Sequence, residues 1–197
     1  VEWVRRRAAA CVRGNHDHMV AQNVQTNGVT GFRFLSGVTR PVARQRLDAN
    51  SLQYLARLPV SKFLTIDRQT FMMVHATPRD PLDEYAPPDP ELWKRRLEGV
   101  GADVVCVGHT HQPFVLQVGR TMVINPGSVG LPRDGDPRAS YAIWDDGQVT
   151  MHRIEYAVER TVEAVEASAI PDLAKSLLAQ VYRTGALPNG SHKLAES

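Results

Sequence analysis

The chain has 197 residues, 43% of them hydrophobic and 22% charged, with a net charge of +2. That length allows one domain, or one domain with an appendage, and a core that needs no disulfide or structural metal. No apolar run approaches the roughly 18 residues of a membrane-crossing helix, so no membrane partner is expected.

The charge is unevenly spread. Residues 1–60 hold nine arginines against three acids, and the remainder is net acidic. A basic first third suits a small anionic substrate. Nucleic acid is not expected as a partner, and the oligomeric state stays open. Cys11 and Cys106 both lie in apolar runs. Free buried thiols fit a reducing, cytoplasmic setting better than a disulfide framework.

In chain order, Trp3 to Arg7 reads as the end of a helix and not as a signal peptide. Residues 8–13 then read as a short buried strand, and residues 19–47 as irregular and Arg-rich. Leu52, Leu55 and Leu58 recur at helical spacing, with Asp48 or Asn50 as cap and Pro59 as stop. Phe63–Asp67 and Thr70–Val74 form a strand pair. Five prolines make residues 76–90 a loop. Asp89-Pro90 then starts a helix bearing Trp93, Leu97 and Val100. Val104–Val107 is a buried strand. Phe114–Val118 with Thr121–Ile124, and Tyr141–Trp144 with Val149–Ile154, read as hairpins. Val158, Val162, Val165 and Ala169 mark one amphipathic helix; Leu173, Leu177 and Val181 mark another after Pro171. Gly185–Ser197 reads as a loose tail. Strands mixed with helices, and hairpins in the second half, predict an α/β fold with mixed sheets.

Four apolar strands each end in residues that can ligate metal or move protons. The ends are Gly14-Asn15-His16-Asp17, Val74-His75, Gly108-His109-Thr110-His111 and Asn125-Pro126-Gly127-Ser128. In open α/β sheets, ligands gather just beyond the carboxyl ends of strands, so the four ends are expected to converge. Neutral imidazole together with amide oxygen suits Mn, Fe, Ni or Zn better than Ca or Mg. Taken singly, each motif also reads as an ordinary turn or a satisfied histidine. Asn125 to Ser128 would be a type II turn with Gly127 at the left-handed position. His18, His152 and His192 have no partner motif and are not expected to be ligands.

In this order the four motifs resemble the calcineurin-like metallophosphoesterases, most closely their small bacterial members. The resemblance covers roughly residues 8–156 and implies two mixed sheets packed as a sandwich with flanking helices, a four-layer α-β-β-α arrangement. It implies a dinuclear centre of divalent transition ions that hydrolyses phosphomonoesters or phosphodiesters, nucleotides among them. Carried over, Asn15, His75 and His109 would hold one ion and His111 the other. His16 would be the acid assisting the leaving oxygen, oriented and polarised by Asp17. Asn125, Gly127 and Ser128 would support the site. Outside what the resemblance carries over, Arg79, Arg133 and Tyr85 are the candidates to grip the rest of the substrate.

The chemistry has its own logic. Phosphoester hydrolysis needs a nucleophile near neutral pH and positive charge beside the phosphoryl oxygens, and a leaving alkoxide needs a proton. The family's Asp-x-His and bridging Gly-Asp blocks have no counterpart before residue 14. Gly135-Asp136 lies too far downstream to replace the second. The expectation is therefore that an upstream strand-helix-strand unit, roughly 30 or more residues, is not in this sequence. Residues 1–156 then form an incomplete catalytic domain, 157–184 a helical appendage and 185–197 the tail. Two rival readings are a non-catalytic binding module on the same fold, and a single-zinc protein using His109, His111 and Cys106.

Overall fold

The computed structural model describes residues 1–25, 28 and 30–188. The greater part of the expected tail, His192 included, lies outside the described residues. The chain opens with helices α1 (Glu2–Arg7), α2 (Asn15–Gln22), α3 (Gly31–Arg46) and α4 (Ala49–Arg57). Strands β1 (Ser61–Ile66) and β2 (Gln69–Val74) follow, then α5 (Pro90–Arg96) and β3 (Val104–Cys106). Next come β4 (Phe114–Val118), β5 (Thr121–Asn125), β6 (Ala139–Asp145) and β7 (Gln148–Ile154). Helices α6 (Val158–Glu166) and α7 (Asp172–Thr184) close the described chain. Among the described residues no helix is long and apolar enough to cross a membrane.

Five strands form one mixed sheet in the order β1-β2-β3-β5-β4, and β6-β7 form a second. In the first, β2, β3 and β5 run parallel, with Met72, Val105 and Val123 in register. Their carboxyl ends therefore reach the same sheet edge. Side chains alternate between the two faces, as period-two geometry requires. Met72, Val74, Val105 and Val123 pack toward α5, whose Trp93 is fully buried. Phe71, Val104 and Ile124 pack toward the second sheet through Trp144 and Met151. The Phe71 and Trp144 rings meet edge to face at 5.0 Å. The fold is thus mixed α/β, two sheets face to face with helices outside.

The local signals act as their chemistry dictates. Asp48 caps α4 by accepting from Ser51 N, and Asp89 caps α5 by accepting from Leu92 N, with Pro90 in the first turn. The β6–β7 turn places Asp146 and Gly147 at positive φ, as a two-residue hairpin loop demands.

Two expectations fail. Residues 8–13 lie in neither helix nor strand; Arg13 N–H donates to Pro59 O, outside any ladder. A strand needs a neighbour for its backbone groups, and among the described residues none pairs here. Residues 19–47 are largely helical instead of irregular. Phe32, Leu35, Val38 and Val42 form a stripe on α3 that packs on Ala174, Leu177 and Leu178 of α7. Pro41 has no N–H to give to the preceding turn, yet the buried stripe carries the helix through it. Nearby, α2 packs on α4 through Val20, Leu55 and Leu58.

Candidate metal centre

The parallel strands deliver the site. His75 follows β2, His109 and His111 follow β3, and Asn125 ends β5. Gly14 caps α2, so Asn15 and His16 project from that helix's first turn. A Cβ on Gly14 would lie 3.1 Å from the His75 ring, so the absence of a side chain lets α2 approach β2.

Three donor atoms meet at one point. His75 Nε2 lies 3.2 Å from Asn15 Oδ1 and 3.2 Å from His109 Nδ1. Outer contacts set which atoms carry lone pairs. His109 Nε2–H donates to Asp83 O at 3.1 Å, which leaves Nδ1 bare. Asn15 Nδ2 donates to the Asp83 carboxylate at 3.2 Å, which turns Oδ1 toward His75. His111 Nδ1–H donates to Leu131 O at 2.6 Å, which leaves Nε2 bare on the cleft wall. At the meeting point His75 Nε2 faces two acceptors, and the His16 backbone N–H also donates to Asn15 Oδ1 at 3.0 Å, which leaves that oxygen its second lone pair. Two ring nitrogens and an amide oxygen with a lone pair to spare suit a cation, and N,N,O is a donor set that Mn, Fe, Ni or Zn accept. Among the described residues no group of three His, Cys, Asp or Glu converges, so the triad depends on Asn15.

Electrostatics favour the neutral rings that ligation requires. Burial, then His109, His111 and His16, pushes His75 down to about 3. Burial and then Arg133 push His111 down to about 4, and burial lowers His109 as well. His16 is also pushed down to about 4, by lost hydration first and then by Arg40 and Arg133.

The loop carrying the two histidines is strained and clamped. His109 and His111 sit at φ 61° and 58°, a left-handed region that costs an ordinary residue energy. Asn125, fully buried, holds the loop: Nδ2 donates to Gly108 O (2.7 Å) and Thr110 Oγ1 (3.0 Å). Its Oδ1 accepts Gly127 N–H at 3.0 Å, with Gly127 at φ 83° as the turn requires. Ser128 Oγ accepts Leu131 N–H, and Leu131 O in turn orients His111.

Other expected residues lie differently. Asp17 does not orient His16: its carboxylate accepts Gly14 N–H at 2.9 Å, as an acid three residues past a helix cap does. The polar neighbours of the His16 ring are Ser36 Oγ and Arg40 Nε, each at 3.4 Å. Arg79 is exposed in the Pro-rich loop and does not line the cleft, whereas Arg133 and Tyr85 do. Asp136 is bound by Arg138, away from the donors. Cys106 packs between the sheets with Trp144 and Met151, which removes it from any site shared with His109 and His111.

Sequence reasoning missed Asp83 and Arg40. Asp83 lies in the Pro-rich loop directly after His75, and that position was its one signal. Arg40 lies on α3, whose apolar spacing from Phe32 to Val42 announces a helix that Pro41 disguised. The cleft over the donors has a volume of about 400 Å³. A more apolar groove of about 720 Å³ continues from it past Leu35 and Val165 to Leu178.

The two-sheet fold is shared with a known metallophosphoesterase. A crystal structure of a metallophosphoesterase from Sphaerobacter thermophilus is 29% identical, with a TM-score of 0.73 over 92% of this chain and 80% of that one. A hypothetical protein from Pyrococcus horikoshii has the same fold at 18% identity, with a TM-score of 0.76 over 90% of this chain and 75% of its own. The sequence profile of the calcineurin-like phosphoesterase superfamily domain matches residues 1–147, and the chain belongs to that superfamily. Among curated relatives, an uncharacterized protein of Methanocaldococcus jannaschii is 29% identical over 190 residues, covering 87% of this chain and 75% of its own length. Phosphodiesterase YfcE of Escherichia coli is 48% identical over 44 residues, 22% of this chain and 23% of that protein.

Proposed function

We propose that the cleft hydrolyses a small phosphoester with a divalent transition ion held by Asn15, His75 and His109. The observation that carries this is that Asn15 Oδ1 and His109 Nδ1 each lie 3.2 Å from His75 Nε2, with both outer contacts to Asp83 in place. His111 lines the same cleft with Nδ1–H taken by Leu131 O, and its Nε2 is the donor we assign to a second ion. Ions held there would neutralise charge on phosphoryl oxygens and make a water nucleophilic near neutral pH. The protein's own part is to fix the rings as lone-pair donors and to hold the loop in its strained form. His16, at the cleft wall beside Ser36 and Arg40, is placed to hydrogen-bond a reacting oxygen. Superfamily membership and the name of YfcE support a phosphoester as the substrate.

The test is a Mn²⁺ titration of metal-free protein beside hydrolysis of p-nitrophenyl phosphate and bis(p-nitrophenyl) phosphate. One weakly bound ion and Mn²⁺-dependent turnover are expected. His109→Ala should lose the ion, with partial rescue by excess Mn²⁺. His16→Ala should keep the ion and lose turnover, by about 10²-fold or more where the leaving group needs a proton. Unchanged occupancy in both His75→Ala and His109→Ala would overturn the assignment. A second reading, a non-catalytic binding module, draws on one fact: beyond the triad and His16, whose ring nitrogens contact Ser36 and Arg40, His111 is the one further histidine lining the cleft among the described residues. An ion bound without any turnover would favour it.

A further inference from the structure

We infer that Arg133 is an anion clamp that selects a phosphate dianion, meaning a phosphomonoester or a terminal phosphate, over a phosphodiester. The inference rests on the cleft being a phosphoester site. This guanidinium is firmly held. Arg133 N–H donates to His111 O at 3.3 Å, which ties its backbone to the histidine loop. Its guanidinium lies 3.8 Å over the centre of the Phe32 ring. One terminal nitrogen donates to Tyr85 OH at 3.0 Å, and the Tyr85 ring packs on His109 at 4.2 Å between centroids. Backbone, ring stack and hydroxyl together aim the group at the space that Asn15, His16, His109 and His111 also line.

The held group is incompletely used. Arg133 Nε is buried and has no hydrogen-bond partner. Among the described residues no carboxylate forms a salt bridge with Arg133, although other partly buried arginines, such as Arg96 and Arg153, do. Leaving a buried charged donor unmatched costs free energy, and a water or an anion beside the held guanidinium would offset that cost. A planar guanidinium matches phosphate oxygens with two parallel N–H bonds.

Charge then selects the ligand. Arg33, Arg40 and Arg133 line the cleft and Asp83 is the acid among its lining residues, which gives +2 before any metal ion enters. A phosphomonoester carries about −1.5 to −2 near pH 7, and a diester about −1. The monoester or terminal phosphate is the better electrostatic match.

The test needs no turnover. Inorganic phosphate and dimethyl phosphate are titrated calorimetrically into the metal-free full chain, wild type and Arg133→Gln, with circular dichroism to verify folding. Wild type should bind phosphate at least about tenfold more tightly than dimethyl phosphate. Arg133→Gln should weaken phosphate binding about 10–100-fold and erase the preference. If Arg133→Gln does not fold, Arg133→Lys and Tyr85→Phe carry the test. The first loses the fork and the second the hydroxyl that aims it, and each should weaken phosphate binding several-fold. Wild-type affinity in these variants, equal binding of the two anions, or no phosphate binding by wild type would overturn the clamp. Selective Arg133-dependent binding in a protein that hydrolyses neither nitrophenyl ester would leave the clamp standing and defeat the hydrolase reading. Hydrolysis with Arg133-independent phosphate binding would do the reverse.

Discussion

Replacing Asn125 by alanine separates what the strand end does for the fold from what it does for the site. The side chain is fully buried and makes three hydrogen bonds, to Gly108 O, Thr110 Oγ1 and Gly127 N. Each bond is worth about 0.5–1.5 kcal/mol net, and alanine leaves three polar groups behind with no side chain to answer them. The expected loss is about 2–4 kcal/mol. Urea unfolding measures it as a lower midpoint at constant slope. The second effect is local. His109 and His111 hold left-handed φ values that cost on the order of 1–3 kcal/mol each, and Asn125 is the clamp on the loop between them. Once released, the loop relaxes and carries His109 Nδ1 away from His75 and Asn15. Mn²⁺ affinity should therefore fall together with stability. Asn125→Asp should cost more than alanine, because a buried carboxylate would face Gly108 O with no hydrogen to offer. A stability loss under about 0.5 kcal/mol, or full Mn²⁺ affinity in a destabilised variant, would refute the reasoning.

Gly14→Ala puts a methyl group 3.1 Å from the His75 ring, so the ring must shift and Mn²⁺ binding should weaken about tenfold or more; an unchanged titration would show that α2 can move aside. The nearly buried pair Glu84–Arg96 predicts an acid-sensitive term in stability. The hydrogen bond from Arg96, and then that from Thr77 against burial, hold Glu84 below its ordinary 4.5. A depressed carboxyl stabilises the fold fully above that value, and the contribution fades as pH falls through the lower, folded value. Glu84→Gln should thus lose about 1–3 kcal/mol at pH 7, and the deficit relative to wild type should shrink in urea melts below pH 4.5. A deficit independent of pH would mean that packing, not charge, is what the substitution removes.

Features written in short-range chemistry were legible in the chain before folding. Turn residues with positive φ set the hairpins, Asp48 and Asp89 set helix starts, and apolar runs that stop at Gly-His or Asn-Pro-Gly mark strand ends. Because three parallel strands end level, those motifs also predicted which side chains would meet. Other features depend on partners far away in the chain. Residues 8–13 have the composition of a strand, but a strand exists through a neighbour's hydrogen bonds. Helix α3 reads as irregular until α7, more than a hundred residues on, covers its apolar stripe. Asp17 could have faced His16 or Gly14 N, and the geometry of a helix's first turn chose the backbone. Asp83, Arg40 and Arg133 carry no motif at all. They matter because chain folding sets a carboxylate behind Asn15, and guanidinium groups beside His16 and His111, where charge acts through space and sequence distance does not.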